Sequence, residues 1–196
     1  MRLRPQTPPP QGTYPSEGKS TTAINIALAL AEAEHSVVLV DGDLRRPRLA
    51  KYLDLVGSVG FSTVLSGGGS LDEVLQKTKF SRLTVLTAGP IPPNPSELLG
   101  SLAAKKMFSD LRAKFDYVIV DSSPLLAVTD GAILAAEADG AIIAVRAEKT
   151  KRDQLALVHD ADPIAELVRL VHVMRGNQDG ASARAELLEH GPQLAA

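Results

Sequence analysis

A doubly wound α/β fold with a mainly parallel sheet follows from three observations on the 196 residues. Short β-branched runs alternate with alanine- and leucine-rich stretches, as in a parallel sheet linked by crossover helices. A loop containing Gly18, Lys19 and Ser20 opens the first helical stretch in the manner of a phosphate cradle. Two later apolar runs end in carboxylates, one at Asp41 and Asp43 and the other at Asp121. In an open α/β sheet the carboxyl ends of the strands form the ligand edge. With 44% hydrophobic residues the chain can build one sizeable core, and a second domain of that kind is not expected.

Composition narrows the function classes. A formal charge of −2 with both signs interspersed gives no global basic field for nucleic acid or an anionic membrane. Without cysteine there is no disulfide framework, no Cys-ligated zinc and no thiol nucleophile, which suits a reducing compartment. His35, His159, His172 and His190 are scattered without ligand spacing and read as surface or packing residues. No apolar run approaches the roughly 20 residues of a membrane helix, and the first residues lack the apolar core of a signal peptide. The expectation is a soluble, cytoplasmic protein.

Residues 1–12 carry Pro5, Pro8, Pro9 and Pro10 and almost nothing apolar, and read as an extended or disordered tail. A phosphate loop is normally launched from a buried central strand, where proline cannot donate to the ladder. The first strand is therefore expected to be missing from the sequence. The loop itself comprises Pro15, Ser16, Glu17, Gly18, Lys19, Ser20 and Thr21, with Thr13 where such motifs usually begin with glycine. Lys19 supplies a point charge for phosphates and Ser20 a hydroxyl for magnesium; a solvated helix cap is the plain alternative. Residues 21–34 are expected to be helical, with Ile24, Ala27, Leu28 and Ala31 on one face.

Residues 37–40 form a short buried strand ending at Asp41 and Asp43, followed by Arg45, Arg46 and Arg48. Residues 49–80 read as helical and irregular by turns, with Gly67, Gly68 and Gly69 as a connection. A strand is expected over 83–87. Asn94, Pro95 and Glu97 then carry helix-start signals, for a helix running to about Phe115 with Leu98, Leu102, Phe108 and Leu111 inward. Residues 117–120 form the next strand, ending at Asp121, and a helix over 130–138 leads to a strand over 141–145.

Each aspartate alone suits a turn or a cap. Together with Lys19 and Ser20 at one sheet edge, they form the arrangement magnesium needs, since it keeps waters and takes one or two carboxylates beside phosphate oxygens. The pattern is that of a P-loop NTPase.

Residues 16–22, 37–48, 92–99 and 117–124 resemble the bacterial tyrosine kinases of capsule and exopolysaccharide biosynthesis, and the runs 128–146 and 149–155 extend the likeness in order. The resemblance implies a fold related to partition-type and septum-site ATPases, with ATP and Mg2+ bound and the γ-phosphoryl group transferred to tyrosine. It further implies that Ser16, Glu17, Gly18, Lys19, Ser20 and Thr21 bind nucleotide. On the same ground Ser20 and Asp121 hold Mg2+ with Asp43 in support, and Asp41 is the base for the tyrosine hydroxyl. Arg45, Arg46 and Arg48 suit phosphate, a subunit contact or a solvated face equally. A membrane chain-length regulator is the implied activating partner, which would bring a chain without its own membrane segment to the membrane. Intact members are expected to form homo-oligomers.

Departures mark the limits of the likeness. Tyr14 stands where partition-type ATPases carry an extra lysine, which disfavours that branch. The likeness ends near Leu155, giving three expected parts: a tail over 1–12, a P-loop domain over 13–155 and a divergent helical segment over 156–196. Residues 162–174 read as a capped helix, with a strand over 167–174 as the alternative. A match in the middle and at neither end is what a truncated or frame-shifted kinase would give. The rival readings are a non-kinase partition-like ATPase and an inactive remnant that binds partners.

Overall fold

The computed structural model describes residues 18–124, 128–146 and 170–174. Among the described residues the first element is α1 (Lys19–Glu32), which starts two residues earlier than its apolar pattern, because Gly18 takes a left-handed φ of 84° and turns the chain directly into the helix. Strand β1 (Val37–Asp41) follows, then three short helices, α2 (Leu49–Leu53), α3 (Phe61–Leu65) and α4 (Leu71–Val74). Next come β2 (Gln76–Lys77) and β3 (Leu83–Leu86). The chain continues through α5 (Pro95–Leu99), α6 (Leu102–Lys114), β4 (Tyr117–Asp121), α7 (Asp130–Ala136), β5 (Ile142–Arg146) and β6 (Leu170–Met174).

The strands form a four-stranded sheet of order β2-β3-β1-β4 and a separate parallel pair, β5-β6. Among the described strands only the two-residue β2 runs antiparallel to its neighbour. Every residue of β1 is buried, as expected for a strand covered on both faces. Side-chain alternation sends Val37 and Leu39 to a core shared with Ala23, Ala27 and Ala31 of α1. It sends Val38 and Val40 to a second core with Phe61, Met107, Phe108 and Leu111. Helices thus cover opposite faces, and the doubly wound α/β expectation is met.

Strand β4 is different: β1 is its partner on one side, and no described strand pairs with its other edge. Its residues 117–120 are partly or largely exposed, with only Asp121 buried.

Two expectations change. The single helix expected from Asn94 to Phe115 is two, because the chain breaks at Gly100 and Ser101 restarts it by accepting a hydrogen bond from the Ala104 amide at 3.2 Å. Leu102, expected inward, is the first residue of α6 and 83% exposed. The Asn94 side chain makes no cap; its amide donates to Glu97 at 2.5 Å. Secondly, residues 170–174 are a strand and not a helix, since their β-branched residues pair in parallel with β5. The remaining readings for residues 1–17, 147–169 and 175–196 lie outside the described residues. Among the described residues no helix is long and apolar enough to cross a membrane.

Candidate functional site

Strands β1 and β4 run parallel side by side, so their carboxyl ends share the sheet edge where ligands sit in such folds. Asp41 and Asp121 end these two strands as direct ladder partners. Gly42 closes the gap, its amide donating to the Asp121 carbonyl at 2.7 Å.

Asp41 is wholly buried. Its Oδ2 accepts from the backbone amides of Arg48 at 3.1 Å and Leu49 at 3.0 Å, whereas Oδ1 has no hydrogen-bond partner among the described residues. Burial, opposed by those two amides and reinforced by the charges of Asp121 and Asp43, pushes its pKa up to about 7. Asp121 is also raised, to about 6, chiefly by burial. A hydrogen bond with Ser20 and the positive charges of Lys19 and Arg48 pull it back, while Asp43 adds to the rise.

Asp43 lies half-buried one step further on. Its Oδ1 accepts from the amides of Arg45 at 3.2 Å and Arg46 at 3.0 Å and from the Ser123 hydroxyl at 3.0 Å. Ser123 had no distinguishing signal in the sequence beyond its place after a strand.

The first turn of α1 carries Lys19, Ser20 and Thr21 with no acidic residue and no side-chain cap, so the positive end of the helix dipole is not neutralised from within it. Of the expected nucleotide-binding residues, Gly18, Lys19, Ser20 and Thr21 are at this helix start, and Ser16 and Glu17 lie outside the described residues. Lys19, Ser20, Asp41, Asp43 and Asp121 are thus brought together through the interactions of the two buried carboxyls. The arginines separate: Arg46 is exposed, Arg48 supplies charge to Asp121, and Arg45 turns to Asp130 with Nε at 2.6 Å from Oδ2.

The oxygen donors Ser20, Asp43 and Asp121 fit a hard cation such as magnesium, which needs few protein ligands. No cluster of three or more His, Cys, Asp or Glu side chains suited to a metal held by protein alone occurs among the described residues.

A family profile described as an AAA domain matches residues 16–160. The chain is 39% identical over 164 residues to tyrosine-protein kinase YwqD of Bacillus subtilis strain 168, covering 84% of this chain and 69% of that one. It is also 39% identical over 146 residues to tyrosine-protein kinase ptk of Acinetobacter johnsonii, but spans only 20% of that protein's length. Among solved structures, the kinase domain of VpsO superposes with a TM-score of 0.75 at 32% identity, covering 83% of this chain and 81% of that one. The septum site-determining protein MinD of Pyrococcus horikoshii OT3, solved with Mg-ADP, shares the fold alone, at a TM-score of 0.62 and 20% identity over 82% of this chain and 66% of that one.

Proposed function

Because this chain belongs to the AAA-domain family and, within it, to the bacterial tyrosine kinases, we propose that it transfers the γ-phosphoryl group of ATP to a tyrosine hydroxyl. The observation that carries this reading is Asp41: a buried carboxyl titrating near neutrality, with one oxygen unpartnered among the described residues, beside a second carboxyl, Asp121, which itself meets Lys19 and Ser20. A general base works best when its pKa lies near the working pH.

Lys19 and the amides opening α1 hold the ATP phosphates, with Ser16 and Glu17 completing the loop. Ser20 and Asp121 hold Mg2+, directly or through water, and Asp43 supports it. When bound, Mg2+ neutralises charge on the transferring phosphoryl group. Asp41 takes the tyrosine proton as the phenolic oxygen bonds to the γ-phosphorus, and the bond to the bridging oxygen breaks to release ADP. Little else is required, because phosphoryl transfer depends mainly on positioning and charge.

The family resemblance supports a role in capsule or exopolysaccharide biosynthesis and work in the cytoplasm beside a membrane regulator, as part of a homo-oligomer. Calorimetric titration with ADP, with and without magnesium, tests the site: magnesium-dependent binding that Lys19→Ala abolishes is expected. Binding that is absent, or unchanged in that variant, overturns the reading. Transfer of labelled phosphate from ATP to tyrosine separates a kinase from a simple ATPase. Supplying the membrane regulator's cytoplasmic part should raise that transfer.

A further inference from the structure

Asp130, the first residue of α7, is a carboxylate with no exposed surface at all. An ionised group in such a place needs close partners, or it costs several kcal/mol. Arg45 supplies them as a fork, with Nε 2.6 Å from Oδ2 and Nη2 3.2 Å from Oδ1. The Ser96 hydroxyl also donates to Oδ1, and Arg45 Nη2 reaches Ser96 Oγ at 3.1 Å. The Thr129 hydroxyl joins through Ser96 at 3.3 Å. Against burial, which raises it, the bonds from Arg45 and Ser96 hold the Asp130 carboxyl below its ordinary range.

Three segments distant in sequence therefore meet on one carboxylate: the turn after β1, the first turn of α5 and the start of α7. The turn is the one that carries Asp43. Arg45 is the residue whose own amide donates to Asp43 Oδ1, and the amide of Arg46 binds the same oxygen. A guanidinium held by a fork loses much of its side-chain freedom, and the same residue is tied at its other end by its amide on Asp43.

We propose that Arg45 and Asp130 are positioning residues that lock the turn after β1 and so aim the Asp43 carboxylate for Mg2+ bound with nucleotide. The inference rests on the metal assignment above. Residues that orient a ligand from behind typically change metal affinity by about 10- to 100-fold when lost. A contact that merely joined α5 to α7 would alter stability and leave the magnesium requirement alone.

The test uses Asp130→Asn, which keeps shape and removes charge, and Arg45→Lys, which keeps charge and removes the fork. Met107→Ala in α6 serves as a purely destabilising control. The magnesium chloride concentration giving half-maximal ADP binding should rise about 10- to 100-fold in both clamp variants and stay within about twofold in the control. ADP binding without magnesium should be the same in all three. In the protein free of nucleotide and metal, hydrogen exchange at the Arg45 and Arg46 amides should accelerate at least tenfold in the clamp variants. If either folded variant keeps both its magnesium requirement and its amide protection, the proposal is overturned. Should Asp130→Asn fail to fold, Arg45→Lys decides alone. Should the parent fail to bind ADP with magnesium, the proposed function falls, and the exchange measurement still decides whether the clamp holds the turn.

Discussion

Asp41 and Asp121 face each other as the last pair of the β1·β4 ladder, joined by the Gly42 amide donating across to the Asp121 carbonyl. Two carboxyls on neighbouring parallel strands have backbones only about 5 Å apart. Burial makes both harder to ionise, and the charge of Asp121 adds to the effect on Asp41.

Stability of the ligand-free protein should therefore fall as pH rises from about 4 to 7. Asp41 and Asp121 titrate at about 7 and about 6 when folded and near 3.8 when unfolded, so in that window the folded state holds the extra protons. More protons on the folded state means that raising pH favours unfolding, by up to about 1.4 kcal/mol per pH unit for each extra proton held. The carboxyls held low, Asp116 and Asp130, lose their contribution only under more acid conditions. Asp41→Asn should match the parent near pH 4 and exceed it at pH 8 by a few kcal/mol. Urea unfolding at the two pH values checks this; a parent more stable at pH 8 than at pH 4 contradicts it.

Gly42→Ala should cost about 1 to 3 kcal/mol and weaken nucleotide binding as well. An added Cβ would sit 2.9 Å from the Asp121 carbonyl, from Val120 Cγ1 and from Leu134 Cδ1. Relief requires the ends of β1 and β4 to part, which spreads the carboxyls. Denaturant midpoints and ADP titrations on one preparation would reveal whether both effects occur together.

Phe61→Ala should be among the most damaging core changes, at about 3 to 5 kcal/mol. The ring is wholly buried and meets Phe108 edge-to-face at 5.7 Å between centroids. Thermal unfolding provides the measurement, and Phe61→Leu should recover much of the loss.

The sequence was most legible where burial and chemistry coincide. The run before Asp41 could hardly be other than a central strand, and its carboxylate then had to lie at the ligand edge. The region from Asn94 to Phe115 misled, because its leucine spacing continues across Gly100 and Ser101 although these residues form a stop and a restart. The two-residue β2 is too short for any periodicity to mark it. The grip of Arg45 on Asp130 was invisible for another reason: 85 positions separate the partners, and an aspartate opening a helix is ordinary by itself.

At the opposite end of the same ladder, Ser36 and Asp116 are tied together before either strand begins. The Ser36 amide and hydroxyl both donate to Asp116 Oδ2 at 2.8 Å, and the Asp116 amide returns a bond to the Ser36 carbonyl at 2.9 Å. From this knot β1 and β4 count out five residues each and arrive together at Asp41 and Asp121. A slip of one position would turn every following side chain to the other face of its strand. The knot is thus a zero mark on a pair of rulers, so that an unremarkable serine and aspartate at the base set how Asp41 and Asp121 line up at the tip.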